Sequence, residues 1–111
     1  MKAALDRVLE AFARALGEDA VLRSEEELQD FRDPYTFAGW DEHRPAAVLL
    51  PSSVGEVQAA VRVANELLVP LWTSSQGRNY AYGGAAARVS GSVLLSLRRL
   101  NRVLEVNEEL A

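Results

Sequence analysis

A loop rich in small residues holds the side chains best suited to binding an anion. It spans residues 74–85 and reads Ser-Ser-Gln-Gly-Arg-Asn-Tyr-Ala-Tyr-Gly-Gly-Ala. Small residues let the main chain approach a bulky ligand, and consecutive backbone N–H groups can surround phosphate oxygens. Arg78 adds a charged hydrogen-bond donor, and Gln76 and Asn79 add neutral donors. The loop therefore predicts a phosphate-binding site.

The spacing of these residues matches neither common nucleotide-binding motif. The loop contains no Gly-x-Gly-x-x-Gly, and no Gly-Lys-Ser/Thr closes it. A Rossmann dinucleotide site and a P-loop ATPase are therefore disfavoured. Composition alone leaves open a loop whose small residues serve only packing.

The distribution of charge also favours an anion at this place. The chain of 111 residues has a net charge of −4, yet no carboxylate lies between Leu67 and Leu104. The same stretch contains five arginines, namely Arg78, Arg88, Arg98, Arg99 and Arg102. It is too short and too poor in aromatic residues for a nucleic-acid surface, so no nucleic-acid partner is expected.

Several other classes of site are disfavoured by composition. The chain has no cysteine, which excludes disulfides and cysteine nucleophiles, and its one histidine is His43. A zinc site or a Ser-His-Asp triad on His43 is improbable, and we expect a solvated loop histidine and no metal. There is no signal-peptide core and no apolar run of about 20 residues, which predicts a cytoplasmic protein without a membrane partner.

The elements around the loop predict an α/β (α+β) fold. A first helix is indicated by apolar residues at helical spacing, namely Leu5, Val8, Leu9, Phe12 and Leu16, with Gly17 as its C-cap. Ser24 and Glu27 predict a capping box for a second helix, which Pro34 closes. Residues 1–34 thus form a helical lead-in.

A βαβ unit with a third strand is predicted over residues 46–97. Strands are expected at 46–50, 71–73 and 92–97, in a small parallel sheet of about three strands flanked by helices. A fourth strand is expected at 101–106. The connecting helix follows a cap at Ser53, ends at Pro70, and is expected to bury Val54, Val57, Val61, Ala64 and Leu68.

Sequence motifs along residues 28–109 resemble a known family. They are Phe-Arg-Asp-Pro-Tyr at 31–35, Pro-Leu-Trp at 70–72, Gly-Arg-Asn at 77–79, Tyr-Gly-Gly-Ala-Ala at 82–86, Arg-Val-Ser-Gly-Ser-Val at 88–93 and Asn-Arg-Val-Leu-Glu-Val-Asn at 101–107. Together they are similar to the FAD-binding (PCMH-type) domain of the vanillyl-alcohol oxidase and para-cresol methylhydroxylase family, and most similar to its eugenol oxidase and 4-cresol dehydrogenase members.

The resemblance implies that residues 1–111 are the N-terminal subdomain of a discontinuous FAD-binding domain, with the flavin loop at 74–86. A second subdomain and a cap would come from elsewhere, so we expect a truncated chain that is inactive alone. The pyrophosphate would lie against 75–79 and 83–84, and Pro51 would shape the adenine side. The implied cofactor-binding residues are Pro51, Ser74, Ser75, Gln76, Gly77, Arg78, Asn79, Gly83 and Gly84.

The implied activity is oxidation of para-substituted phenols by hydride transfer to flavin N5. Tyr82 matches the family tyrosine that hydrogen-bonds the substrate phenolate, and such a donor stabilises developing charge. Expected partners are a phenolic substrate, the remainder of the flavoprotein or a partner subunit, and a possible second copy of the chain. Tyr35 stands where the family has a histidine that aids covalent flavin attachment, which disfavours that route.

Two other functions remain open. One is a non-enzymatic nucleotide-binding or subunit-interaction module of the same fold, which the short length favours. The other is an FAD oxidase or dehydrogenase of 2-hydroxy acids or sugars. The Tyr82-Gly83-Gly84 sequence favours phenols over these substrates.

Overall fold

A four-stranded sheet has helices on both of its faces. The computed structural model describes residues 2–32, 43–76, 87 and 89–110. The elements are α1 (Lys2–Leu16), a 3-10 turn (Glu18–Ala20), β1 (Val21–Leu22), α2 (Glu25–Gln29), β2 (Ala47–Leu49), α3 (Val54–Leu67), β3 (Leu71–Ser74) and β4 (Val93–Ser96). No helix in this described part is long and apolar enough to cross a membrane.

The strand order is β1-β2-β4-β3. The β2-α3-β3 connection therefore leaves space for one strand between β2 and β3, and β4 occupies that space. β4 pairs in parallel with β2 and with β3, which confirms the predicted small parallel sheet. β1 was not predicted, and it pairs antiparallel with β2 through Val21 and Leu49. A strand of two residues is too short to show an alternating pattern.

The fourth strand expected at 101–106 is wrong. These residues form no strand, and their side chains are exposed. The apolar side chains of Val103, Leu104 and Val106 suit a strand, but a strand also needs a neighbour for its N–H and C=O groups. No strand of the described sheet pairs with this segment.

One face of the sheet is covered by α1 and α3. Phe12 of α1 is fully buried against a cluster that includes Ala47 and Leu49 of β2 and Leu95 of β4. The helix ends as predicted at Gly17, whose φ of 98° is suited to glycine and whose N–H donates to the Ala13 carbonyl at 2.8 Å.

The buried face of α3 differs from the predicted one. Val57 and Ala64 pack inward as expected, together with Ala60, but Val54, Val61 and Leu68 are 69%, 40% and 89% exposed. Because α3 meets both α1 and the sheet through alanines, the apolar stripe that it buries is narrow. Val54 lies in the first turn and Leu68 caps the end of the helix, where the neighbouring elements do not reach.

The other face of the sheet is covered by α2. Leu28 and Phe31 pack on Val48, Leu50 and Leu94. The predicted capping box is present, because the Ser24 hydroxyl accepts from the Glu27 N–H at 3.2 Å and the Ser24 N–H donates to the Glu27 carboxylate at 3.3 Å. The helix ends at Gln29, earlier than the predicted limit at Pro34, which lies outside the described residues.

His43 is not a solvated loop histidine. Its ring is half-buried, and its Nδ1 lies 2.7 Å from the carbonyl oxygen of Ala87. The contact spans 44 positions and so ties the residues before β2 to those before β4. This role is structural.

Candidate functional site

The carboxyl ends of β2, β3 and β4 lie at one edge of the sheet because the three strands are parallel. Residues 50–53 leave β2 at this edge, residues 75–76 leave β3, and residues 97–99 leave β4. In open α/β sheets, ligands bind beyond the carboxyl ends of the strands. The predicted phosphate-binding loop therefore begins at the edge where a ligand is expected.

The turn after β2 is held by a carboxylate. Pro51 is fully buried, and the Ser53 hydroxyl caps α3 by accepting from the Glu56 N–H at 3.1 Å. The Glu56 carboxylate in turn accepts from the Ser52 hydroxyl at 2.5 Å and from the Ser52 N–H at 3.2 Å. The hydrogen bond from the Ser52 side chain is the main cause that lowers the pKa of Glu56 below 4.5, with a smaller contribution from the charge of Arg99.

Arg99 joins the exit of β4 to the exit of β2. Its guanidinium donates to the Leu50 carbonyl at 3.4 Å and to the Asp19 carbonyl at 3.2 Å. The 3-10 turn and the β2 exit are thereby fixed relative to each other. The sequence placed Arg99 in a region without carboxylates, but it gave no sign that two main-chain carbonyls would be its partners.

A cleft of about 300 Å³ lies between the start of α3 and the segment after β4. It is lined by Ser52, Ser53, Val54, Arg99, Leu100, Asn101, Arg102 and Leu104. The volume is at the lower end of the ~300–1,000 Å³ typical of small-molecule sites. Two of the lining residues, Ser52 and Ser53, directly follow Pro51 in the sequence. Pro51 is the residue expected on the adenine side of the cofactor.

Two buried serines are neighbours across β3 and β4. Ser74 and Ser96 are register partners at the ends of their strands, and they are 7% and 0% exposed. Successive side chains of a strand alternate between faces, so both lie on the face of Trp72 and Leu94, which α2 covers. In the described part of the chain, the Ser96 hydroxyl has no hydrogen-bond partner. Sequence reasoning missed Ser96, whose only signal was a hydroxyl that ends the apolar run Val-Leu-Leu.

The structure places four of the predicted cofactor-binding residues at this edge. Pro51 and Ser74 are buried there, while Ser75 and Gln76 are exposed where the loop begins. The remaining predicted site residues lie outside the described residues, namely Gly77, Arg78, Asn79, Tyr82, Gly83 and Gly84. Their roles stay predictions. Within the described ranges, no three His, Asp or Glu side chains are grouped to hold a metal.

A family model described as "FAD binding domain" matches residues 45–111. The chain is 42% identical over 96% of its length to 1'-carboxy-chondrochloren decarboxylase of Chondromyces crocatus, and 31% identical over 95% to the flavoprotein subunit of 4-cresol dehydrogenase [hydroxylating] of Pseudomonas putida. It spans 19% and 20% of those relatives, about a fifth of their length.

Two further matches bear on substrate class. D-2-hydroxyglutarate dehydrogenase of Xanthomonas citri is 49% identical, but over only 57% of this chain and 13% of its own length. The solved structure of 4-ethylphenol oxidase from Gulosibacter chungangensis, in an isoeugenol complex, aligns with all of this chain and 21% of its own, with a TM-score of 0.90 and 37% identity.

The described residues at the carboxyl edge fit FAD. The cofactor carries a pyrophosphate with many acceptor oxygens, and the edge offers the Ser74, Ser75 and Gln76 side chains as donors. Ser96 adds a buried donor that has no partner in the described ranges. No carboxylate lies in the sequence between Leu67 and Leu104, and the Glu56 carboxylate of the turn after β2 is engaged by hydrogen bonds from Ser52.

Proposed function

The chain belongs to the family of FAD-binding domains, and from this premise we propose that it is the first FAD-binding segment of an oxidoreductase for para-substituted phenols. The observation that favours phenols over 2-hydroxy acids is the share of the chain that the relatives match. Relatives named for cresol and ethylphenol match 95% and 100% of the chain, whereas relatives named for hydroxyglutarate and lactate match 57% and 80%.

The carboxyl edge would bind the cofactor mainly through hydrogen-bond donors. Ser74, Ser75 and Gln76, followed by Gly77, Arg78 and Asn79 and then by Gly83 and Gly84, would contact the pyrophosphate. Pro51 would border the adenine. The turn that contains Pro51 is fixed by Glu56 on one side and by Arg99 on the other, so this wall is organised before any ligand arrives. FAD, when bound, supplies the acceptor for a hydride.

Tyr82 would be the one catalytic residue in this segment. Its hydroxyl would donate to the phenolate oxygen of the substrate and lower the phenol's pKa, because a donor favours the charged form. The same hydrogen bond would stabilise charge that develops as the hydride leaves the para-alkyl carbon. Residue 82 lies five positions beyond Gly77, in the loop that starts at the carboxyl edge.

The rest of the site would come from other parts of the assembly. We propose that residues 1–111 are an N-terminal subdomain, with a lead-in at 1–34 and the cofactor-binding unit at 46–97. The relatives are about five times as long as this chain. The remainder of the same polypeptide or a partner subunit would then supply the cap and the surroundings of the flavin ring.

The substrate class can be tested by flavin reduction without oxygen. The protein is expressed from its complete reading frame and mixed anaerobically with a para-alkylphenol or with a D-2-hydroxy acid. The proposal predicts that the flavin absorbance bleaches rapidly with the phenol only. Bleaching with the hydroxy acid alone would contradict it.

The role of Tyr82 can be tested by its replacement with phenylalanine, which removes the donor and keeps the ring. Loss of a hydrogen bond to a charged oxygen costs about 1.5–3 kcal/mol, which corresponds to roughly a tenfold to hundredfold fall in kcat/KM for phenols. Tyr80→Phe is the matched control, since Tyr80 has no assigned ligand. Equal activity of Tyr82→Phe and the wild type would refute the role.

A 2-hydroxy acid is the second candidate substrate, because identity to the hydroxyglutarate dehydrogenase reaches 49% over 63 residues. The decarboxylase among the relatives shows that similarity in this segment does not fix the reaction. The alternative to an enzyme is a nucleotide-binding or subunit-interaction module without catalytic activity. It predicts a protein that binds a nucleotide and is reduced by neither substrate.

A further inference from the structure

The buried hydroxyl of Ser96 has no hydrogen-bond partner among the described residues. The residue is 0% exposed, and within the described part of the chain its Oγ makes no hydrogen bond. A buried polar group that lacks a partner bears its full desolvation penalty, and such groups are few in native proteins. A valine or alanine would fill the same place without this penalty. We therefore expect a hydrogen-bond partner for this hydroxyl from outside the described residues.

The location of Ser96 restricts what that partner can be. Ser96 ends β4, the strand between β2 and β3, and its register partner is Ser74, which begins the predicted flavin loop. The main chain here is already paired, since the Leu97 N–H donates to the Ser74 carbonyl at 2.9 Å. Farther into the sheet, the same face is apolar and packs against Leu28 and Phe31. Among the described residues no acceptor on this face pairs with the Ser96 hydroxyl, and the carboxyl edge is the side from which a ligand is expected to supply one.

We infer that the Ser96 hydroxyl donates a hydrogen bond to the ADP half of bound FAD, an inference that rests on the proposed function. The phosphate-bearing half is the part of the cofactor expected against the segment that starts at Ser74. Phosphate and ribose oxygens are acceptors that a serine hydroxyl can serve. Because Ser96 is desolvated before the ligand binds, the new hydrogen bond carries little further desolvation cost for the protein.

The test compares stability with affinity in Ser96→Ala, using the protein expressed from its complete reading frame. Thermal unfolding of the FAD-free protein should be unchanged or shifted to higher temperature, because a buried unpaired hydroxyl is removed. The dissociation constant for FAD should rise about tenfold to a hundredfold, as expected for a hydrogen bond to a charged acceptor. The dissociation constant for free ADP, measured directly, should rise by a similar factor, because ADP would make the same contact.

Ser92→Ala is the matched control. Ser92 is 3% exposed and lies just before the same strand, but its hydroxyl donates to the Val89 carbonyl at 2.6 Å. Its replacement should lower the thermal stability of the FAD-free protein and leave the affinity for FAD unchanged. The two variants should thus show opposite effects.

Three results would overturn the inference. A loss of stability in Ser96→Ala as large as that in Ser92→Ala would make the hydroxyl a structural one. Unchanged FAD affinity would show that Ser96 does not contact the cofactor. Weaker FAD binding with an unchanged dissociation constant for ADP would place the contact on the flavin half. If the wild type binds no FAD, the proposed function itself fails, and this result is distinct from the other three.

Discussion

Replacement of Arg99 with methionine should destabilise the protein by about 1–2 kcal/mol. The guanidinium donates to the carbonyls of Leu50 and Asp19 at 3.4 and 3.2 Å. A hydrogen bond to a charged group contributes about 1.5–3 kcal/mol when it is short and buried. These two are long and partly exposed, so we assign roughly 0.5–1 kcal/mol to each. Methionine keeps most of the aliphatic stem, which limits the change to the lost donors.

The assay is urea unfolding of the protein expressed from its complete reading frame, with the midpoint and the slope compared among variants. Arg102→Met is the matched control, because Arg102 lines the same cleft and should show little change. Arg99→Lys should recover at most half of the loss, since an ammonium does not reproduce the fork of the guanidinium. A stability of Arg99→Met equal to that of Arg102→Met, at equal slope, would refute this reasoning.

Three other variants test separate parts of the account. Leu68→Gly should raise the free energy of unfolding, measured in urea, by about 0.5–1 kcal/mol. Leu68 caps α3 at a φ of 54°, which glycine adopts without strain, and its side chain is 89% exposed. A loss of stability would contradict this. The folded-state pKa of Glu56 lies below 4.5, so its contribution is present above pH 4.5 and is lost as the pH falls through the folded pKa. The stability difference between wild type and Glu56→Gln should therefore shrink as the pH falls below 4.5, and a constant difference would count against the hydrogen-bonded carboxylate. Gly83→Val should weaken FAD binding, measured by fluorescence titration, before it affects substrate affinity, since, in the proposed site, a β-branched side chain would block the approach of the main chain to the pyrophosphate.

Local signals in the sequence predicted much of the fold. The Ser24 and Ser53 caps formed as predicted because a serine followed three residues later by glutamate satisfies helix N–H groups locally. The three parallel strands followed from short apolar runs bounded by proline and glycine. Their order in the sheet was not predicted, because the insertion of β4 between β2 and β3 depends on long-range pairing.

The errors came from positions where tertiary contacts decide the outcome. The burial of Ala60 instead of Val61 depends on where α1 crosses α3, which helical periodicity does not specify. Residues 101–106 have strand propensity but no neighbouring strand among the described residues. His43 is held by the distant Ala87 carbonyl, a contact that no local pattern indicates.

Some residues of the candidate site were predicted from the sequence, and others became apparent only from the structure. Ser74, Ser75 and Gln76 were predicted from a glycine-rich loop, and the structure places them at the carboxyl edge. Ser96 and Arg99 were missed because their importance depends on burial and on main-chain partners far away in sequence. A serine after three apolar residues looks like an ordinary strand end until its register with Ser74 is known.

The most direct test of the central claim is a crystal structure of the protein, expressed from its complete reading frame, with FAD bound. We expect the ADP half of FAD at the carboxyl edge of β2, β3 and β4, with phosphate oxygens within hydrogen-bond distance of residues 74–79. An ADP half bound at another face of the molecule, with this edge free of cofactor, would contradict it.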